Sequence, residues 1–109
     1  MKRICSFVPL EPPLRGLRVI GELDMSSALD LTDALTTMDG GGGDVTLELS
    51  ELEFIDSSGL FAIVQYAGSL SGAGGKLILA NPNAMTERIF EIVEFGEHPG
   101  IVIEGTSRG

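Results

Sequence analysis

The chain is poor in the groups that most sites of chemistry are built from. It has one cysteine, Cys5, and one histidine, His98, in 109 residues. A lone cysteine makes no internal disulfide, and one histidine with one cysteine assembles no zinc-type ligand cluster. Cys5 reads as a core or edge residue in a reducing compartment. Basic residues are scarce as well: seven against sixteen acidic, a net charge of −9. Such a surface repels phosphate backbones and anionic headgroups, which excludes direct nucleic-acid binding. No apolar run approaches membrane-spanning length, and Lys2-Arg3 is followed by too short a mixed run before Glu11-Pro12-Pro13 for a signal peptide. The reading is a cytoplasmic soluble protein. A chain of this length makes one domain, 1–109, and buries roughly two-thirds of its unfolded surface.

Glycine, by contrast, is abundant and divides the chain into elements. Ile4 to Leu10 reads as a short edge strand limited by Pro9, and Leu14 to Leu23 as a second strand. Ser26 is a natural N-cap for a helix carrying Leu31, Ala34, Leu35 and Met38 inward, which ends at the Gly40–Gly43 tetraglycine. That tetraglycine reads as a loop, because neither flank is long enough for a separate domain. Val45, Leu47 and Leu49 alternate with Thr46, Glu48 and Ser50, the period of a strand. Leu60 to Leu70 is apolar on nearly every side, which predicts a buried helix. Ser71 to Gly75 is a second glycine-rich break; no Gly-Lys-Ser or Gly-Lys-Thr follows, so it reads as a C-cap and turn rather than a nucleotide loop. Lys76 to Ala80 makes a buried strand. Asn81 then caps a third helix with Pro82 in its first turn and Met85, Ile89, Ile92 and Val93 buried, stopping near Gly96. Ile101 to Ile103 is a last strand, and 105–109 a frayed tail. The order is strand, strand, helix, strand, helix, strand, helix, strand: an α/β domain with a mostly parallel sheet.

The chain turns on Phe54-Ile55-Asp56-Ser57-Ser58-Gly59-Leu60, where strand gives way to helix. Asp56, Ser57 and Ser58 fall at the helix N-terminus, where free N–H groups donate to side-chain oxygens and the helix end favours an anion. A serine hydroxyl there is a candidate phosphate acceptor. Asp56 or Ser57 acting only as an N-cap is the plainer alternative. The loops after Asp24 and after Asp56 both leave strand carboxyl ends, so right-handed crossovers bring them to one edge of the sheet. Asp24 is thereby expected near Ser57; a plain helix-entry role for Asp24 stays open.

Gly21-Glu22-Leu23-Asp24, together with Leu49 to Leu60, Gly74-Gly75-Lys76-Leu77 and Asn81-Pro82, closely resembles the STAS domains, and within them the anti-sigma factor antagonists. The resemblance runs from about Arg18 to Ile103. It implies a STAS-type mixed, mostly parallel sheet of four to five strands, with about three to four helices chiefly on one side. It also implies a non-enzymatic regulator, without cofactor or metal and usually monomeric. In the antagonist branch the first serine after the aspartate is phosphorylated by an anti-sigma factor that is an ATP-dependent serine kinase. The unphosphorylated form binds that kinase and frees a sigma factor, and a serine phosphatase reverses the modification. Carried over, Ser57 is the phosphoacceptor, and Asp24, Asp56, Ser58 and Gly59 form the switch loop and partner-binding surface. The alternative is a STAS subunit or scaffold of a phospholipid-transport or stress-signalling complex with no phospho-switch. An enzyme is disfavoured: His98 lies in a Gly/Pro turn and Ser57 is not in a Gly-x-Ser-x-Gly elbow. The prolines of the amino segment and the tetraglycine depart from the family pattern, away from the motif.

Overall fold

Alternation along the strands decides the layering. In β2 (Gly16–Leu23), β3 (Val45–Glu48) and β5 (Leu77–Ala80), the residues Leu17, Val19, Leu23, Val45, Leu47, Leu77 and Leu79 are buried, and their strand neighbours, Gly16 apart, are half-buried or exposed. One face of the sheet is therefore fully covered and the other partly open. The computed structural model describes residues 5–38 and 43–105. Ile4 at the start of the predicted first strand, Gly40 to Gly42 of the tetraglycine, the side chain of Met38 and the tail beyond 105 lie outside the described residues.

Among the described residues the sheet has six strands. Its path runs β1-β2-β3-β5-β6, with β1 spanning Cys5–Pro9 and β6 spanning Ile101–Glu104, and β4 (Leu52–Ile55) pairs with β2 off that path. Only β1 runs antiparallel, against β2; all the other pairs are parallel. Helices α1 (Met25–Met38), α2 (Ser57–Gly72) and α3 (Ala84–Ile92) provide the crossovers, and a 3₁₀ turn at Phe95–Glu97 follows α3. Helix α1 packs on β2 and on α2, and α2 lies over β4 and β5. A single apolar cluster, from Leu17 to Ile101, joins these layers.

Several expectations from the sequence are corrected. The predicted strand Val45–Ser50 ends at Glu48, where the chain turns at Leu49–Leu52 with an N–H···O bond of 3.1 Å, and a further strand that was not expected, β4, follows at Leu52–Ile55. Strand β3 pairs with the amino half of β2 (Gly16–Arg18) and β4 with its carboxyl end (Glu22–Leu23). This raises the strand number above the expected four to five.

Asn83, not Asn81, caps α3: its side chain accepts from the Thr86 N–H at 2.8 Å. Asn81 sits instead in the left-handed region at φ 57°. The inward stripe of α3 is Thr86, Glu87 and Phe90. Met85, Ile92 and Val93, expected inside, are exposed, and Ile89 is half-buried. The Phe90 ring claims the buried position by stacking on Phe95 at 4.9 Å, since an aromatic ring removes more apolar area from water than an aliphatic side chain. Helix α2 is not buried all round either; it buries Gly59, Ile63, Tyr66, Ala67 and Leu70 and leaves Phe61 exposed at 62%.

Candidate functional site

Strands β2 and β4 end at the same level, with Leu23 paired to Ile55, so the next residues, Asp24 and Asp56, emerge side by side. The Asp56 N–H donates to the Leu23 carbonyl at 3.1 Å, which ties the two loops together. A shallow cleft of about 560 Å³ lies between them, lined by Asp24, Asp56, Met25, Ser26 and Phe54.

Each aspartate caps the helix that it precedes. Asp24 Oδ1 accepts from the Ser26 N–H at 3.0 Å and from the Ser26 hydroxyl at 2.7 Å, while the Asp24 N–H donates to Ser27 Oγ at 2.9 Å. The cap of α1 is therefore Asp24, and Ser26, the expected cap, sits in the first turn. The hydrogen bond from the Ser26 hydroxyl, followed by bonds from the Ser26 and Ser27 backbone and the Ser27 hydroxyl, holds the Asp24 carboxyl below its ordinary range against the opposing effect of desolvation. Asp56 accepts from the Gly59 N–H at 3.1 Å, with extended backbone at φ −111° and ψ −174°, and its carbonyl takes the Leu60 N–H at 3.0 Å.

Ser57 is thus the first residue inside α2. It is exposed, and its hydroxyl makes no hydrogen bond to any described residue; Ser58 is half-buried and Gly59 buried. Because Asp56 does the capping, the Ser57 hydroxyl stays available. Gly59 is a close-approach position: a Cβ there would lie 2.9 Å from Leu23 Cγ and 3.0 Å from the Leu23 carbonyl oxygen. Its missing side chain lets the first turn of α2 settle on the end of β2.

Ser57 faces a second groove, on the other side of Asp56. This groove of about 400 Å³ is walled by Leu60, Phe61 and Val64 of α2 and by Val93, Phe95 and His98 beyond α3. The expected meeting of the Asp24 and Asp56 loops at one sheet edge is present. Neither aspartate hydrogen-bonds the Ser57 hydroxyl, so Asp24 stands next to Ser57's loop rather than on the hydroxyl itself. The reading of the sequence missed the groove. Its one local signal was Phe61, a full turn after Ser57 on the same helix face, whereas Val93 and His98 arrive only through the packing of α3.

A model of the STAS domain family matches residues 11–105. The chain belongs to the STAS domain family. A search of curated proteins with its sequence found no match. Among solved structures, this STAS domain is similar to the anti-sigma factor antagonist SpoIIAA in its unphosphorylated form, at 22% identity and a TM-score of 0.72 over 92% of this chain and 87% of that one. It is similar to the phosphorylated form of SpoIIAA, a Bacillus cell fate determinant, at 22% identity and 0.66 over 92% and 90%. A candidate anti-sigma factor antagonist from Thermotoga maritima gives 22% identity and 0.69 over 94% and 87%. At these identities the likeness is one of fold: the mixed, mostly parallel sheet with its three helices. No helix among the described residues of this STAS domain is long and apolar enough to cross a membrane.

Proposed function

We propose that this STAS domain is a cytoplasmic, monomeric anti-sigma factor antagonist. While Ser57 is unmodified, it binds an anti-sigma factor that is an ATP-dependent serine kinase, and a sigma factor is freed. Phosphorylation of Ser57 switches it off, and a serine phosphatase resets it. The observation that carries this reading is an exposed hydroxyl at the first position of α2 whose capping duty is taken by the preceding Asp56. A phosphate can be added there without dismantling the cap, and the positive end of the helix offsets part of its charge.

The consequence falls on the partner rather than on the fold. A phosphoserine adds roughly −1.5 to −2 charges at pH 7. Here that charge would stand beside Asp56 and at the mouth of an apolar groove with an exposed phenylalanine. A partner side chain seated in the groove would meet like-charge repulsion or leave a phosphate desolvated, a loss of several kcal/mol for a buried unpaired charge. A hydrolytic role for Ser57 finds no support in His98. The two share the groove, yet the imidazole packs edge-on against Phe95 at 5.7 Å and hydrogen-bonds no described carboxylate that could orient it as a base.

The test is capture from native lysate on immobilised wild type and Ser57→Glu, with the retained proteins identified by mass spectrometry. An ATP-binding kinase held by the wild type and released by Ser57→Glu is the expected result. Retention of one unchanged set of transport or scaffold proteins by both would overturn the switch and leave a constitutive assembly subunit.

A further inference from the structure

The corner between α3 and β6 holds another groove, separate from the one beside Ser57. The 3₁₀ turn divides them: Val93, Phe95 and His98 face the Ser57 side, while Glu94, Gly96 and Glu97 face the other. This groove encloses about 460 Å³, within the range of ordinary ligand clefts. Its floor is apolar, formed by Phe90 and Ile103. Its walls carry four glutamates, Glu87, Glu91, Glu94 and Glu97, and no lysine or arginine is among its lining residues. Glu87 is buried at 6% exposure, and Glu91, Glu94 and Glu97 face solvent. Gly96 keeps the space open: a Cβ there would touch only Ile103 Cδ1, at 3.8 Å.

An apolar floor rimmed by carboxylates, on a chain of net charge −9, matches one kind of occupant. We propose that this groove docks a cationic amphipathic segment of a partner protein, its aliphatic side chain seated on half-buried Ile103 above the buried Phe90 ring and its lysines or arginines set against Glu94 and Glu97. Apolar burial anchors such a segment and the carboxylates choose its sign and speed its arrival. A second copy of this acidic chain is a poor fit, since like charges would face each other. The surface lies across the 3₁₀ turn from Ser57, so it holds its partner whether or not that serine is modified.

The test uses the full chain and a dye-labelled peptide of about 14 residues, with leucine and lysine at helical spacing, against the same peptide with glutamate for lysine. The lysine peptide alone is expected to bind. Gly96→Met, which fills the groove at unchanged charge and without backbone strain, is expected to weaken binding at least about tenfold. The pair Glu94→Asn with Glu97→Gln, exposed positions where folding is safe, is expected to weaken it comparably and to flatten its salt dependence. Ser57→Glu is expected to leave it unchanged, so failure of the phospho-switch does not touch this result. Binding that survives Gly96→Met overturns the proposal. So does an equal loss on Asp30→Asn with Asp33→Asn on α1, which would make the attraction one of bulk charge. Displacement of the peptide by spermine with the same sensitivity to Gly96→Met would reassign the groove to small polycations.

Discussion

The Asp56 N–H and the Leu23 carbonyl oxygen meet at 3.1 Å, and through that bond the end of β2 sets the height at which α2 begins. The same Leu23 carbonyl lies 3.0 Å from where a Gly59 Cβ would stand, so one peptide group fixes both the first residue of the helix and its closest approach. Ser57 is held between these two points. Its exposure follows from the packing of the residues around it rather than from any bond that it makes itself.

Capping and acceptance are therefore separable by mutation. Asp56→Ala removes the carboxylate that accepts from Gly59 and is expected to destabilise the domain by about 1 kcal/mol, a fall in melting temperature of about 5 °C. Ser57→Ala is expected to stay within about 0.5 kcal/mol of wild type while abolishing phosphate incorporation. Thermal melts of both, alongside radiolabelled phosphate uptake, check the division. A Ser57→Ala protein that still takes up phosphate would move the acceptor to Ser58.

Gly59→Ala sets two effects against each other. Alanine gains about 1 kcal/mol over glycine as a helix former, but its Cβ would press on a backbone oxygen at 3.0 Å and on Leu23 Cγ at 2.9 Å, and overpacking costs about 1–3 kcal/mol. The backbone oxygen cannot swing aside as a side chain would. The overpacking is expected to win, with a net loss of about 1 kcal/mol by urea unfolding; a more stable Gly59→Ala variant would show that α2 can ride higher on the sheet.

How far the sequence led is clearest where local pattern and tertiary pairing disagree. Strand β3 shows its period of two directly, the unbroken apolar run of β5 marks a buried strand, and the Asp56-Ser57 helix start followed from a capping residue placed before an apolar run. Ser26 was read as the cap of α1 with a helix-entry role for Asp24 left open, because Asp24 and Ser26 are both good capping residues two positions apart and only the bonds to Asp24 Oδ1 decide between them. Strand β4, at Leu52–Ile55, was invisible. Glu51-Leu52-Glu53 resembles a connector until its register on β2 is known, where the Gly21 N–H takes the Glu51 carbonyl at 3.0 Å. The face of α3 was misread for a related reason: Met85, Ile89 and Ile92 have helical spacing, but the stacking of Phe90 on Phe95, a contact between elements, decides the rotation. The groove beside Ser57 inherits that error, since Val93 was expected inside.

On the partly open face of the sheet, Glu48 accepts from the Ser50 hydroxyl at 2.8 Å and from the Asn81 amide at 2.9 Å, and Arg18 Nε lies 3.5 Å away. Burial pushes its carboxyl up, but the hydrogen bonds from Asn81 and Ser50, with the Arg18 charge, outweigh burial and leave it below its ordinary 4.5. A folded value lower than the unfolded one means that the ionised form supports the fold. That contribution is fully present above the unfolded value and is lost as pH falls through the folded one. Glu48→Gln does not titrate. The stability gap between wild type and Glu48→Gln, from urea unfolding between about pH 6 and about pH 3, is expected to shrink as the solution is acidified. A gap that widens towards low pH would mean that burial, not the hydrogen bonds, dominates at this site.

Phe61 presents the sharpest test of the groove beside Ser57. At 62% exposure its ring contributes little to the core, so Phe61→Ala is expected to change stability by less than about 1 kcal/mol. As an exposed aromatic on the wall of an apolar groove next to the acceptor hydroxyl, it is placed to anchor the partner, and its truncation is expected to weaken binding at least about tenfold. Titration of the captured kinase with wild type, Phe61→Ala and Ser57→Glu distinguishes an anchor from a bystander. If Phe61 and the Ser57 charge act on one contact, the double variant loses less than the sum of the two single losses, because the phosphate mimic then repels a side chain that has already lost its seat. Losses that add in full would place the two residues in separate contacts and remove the groove from the switch.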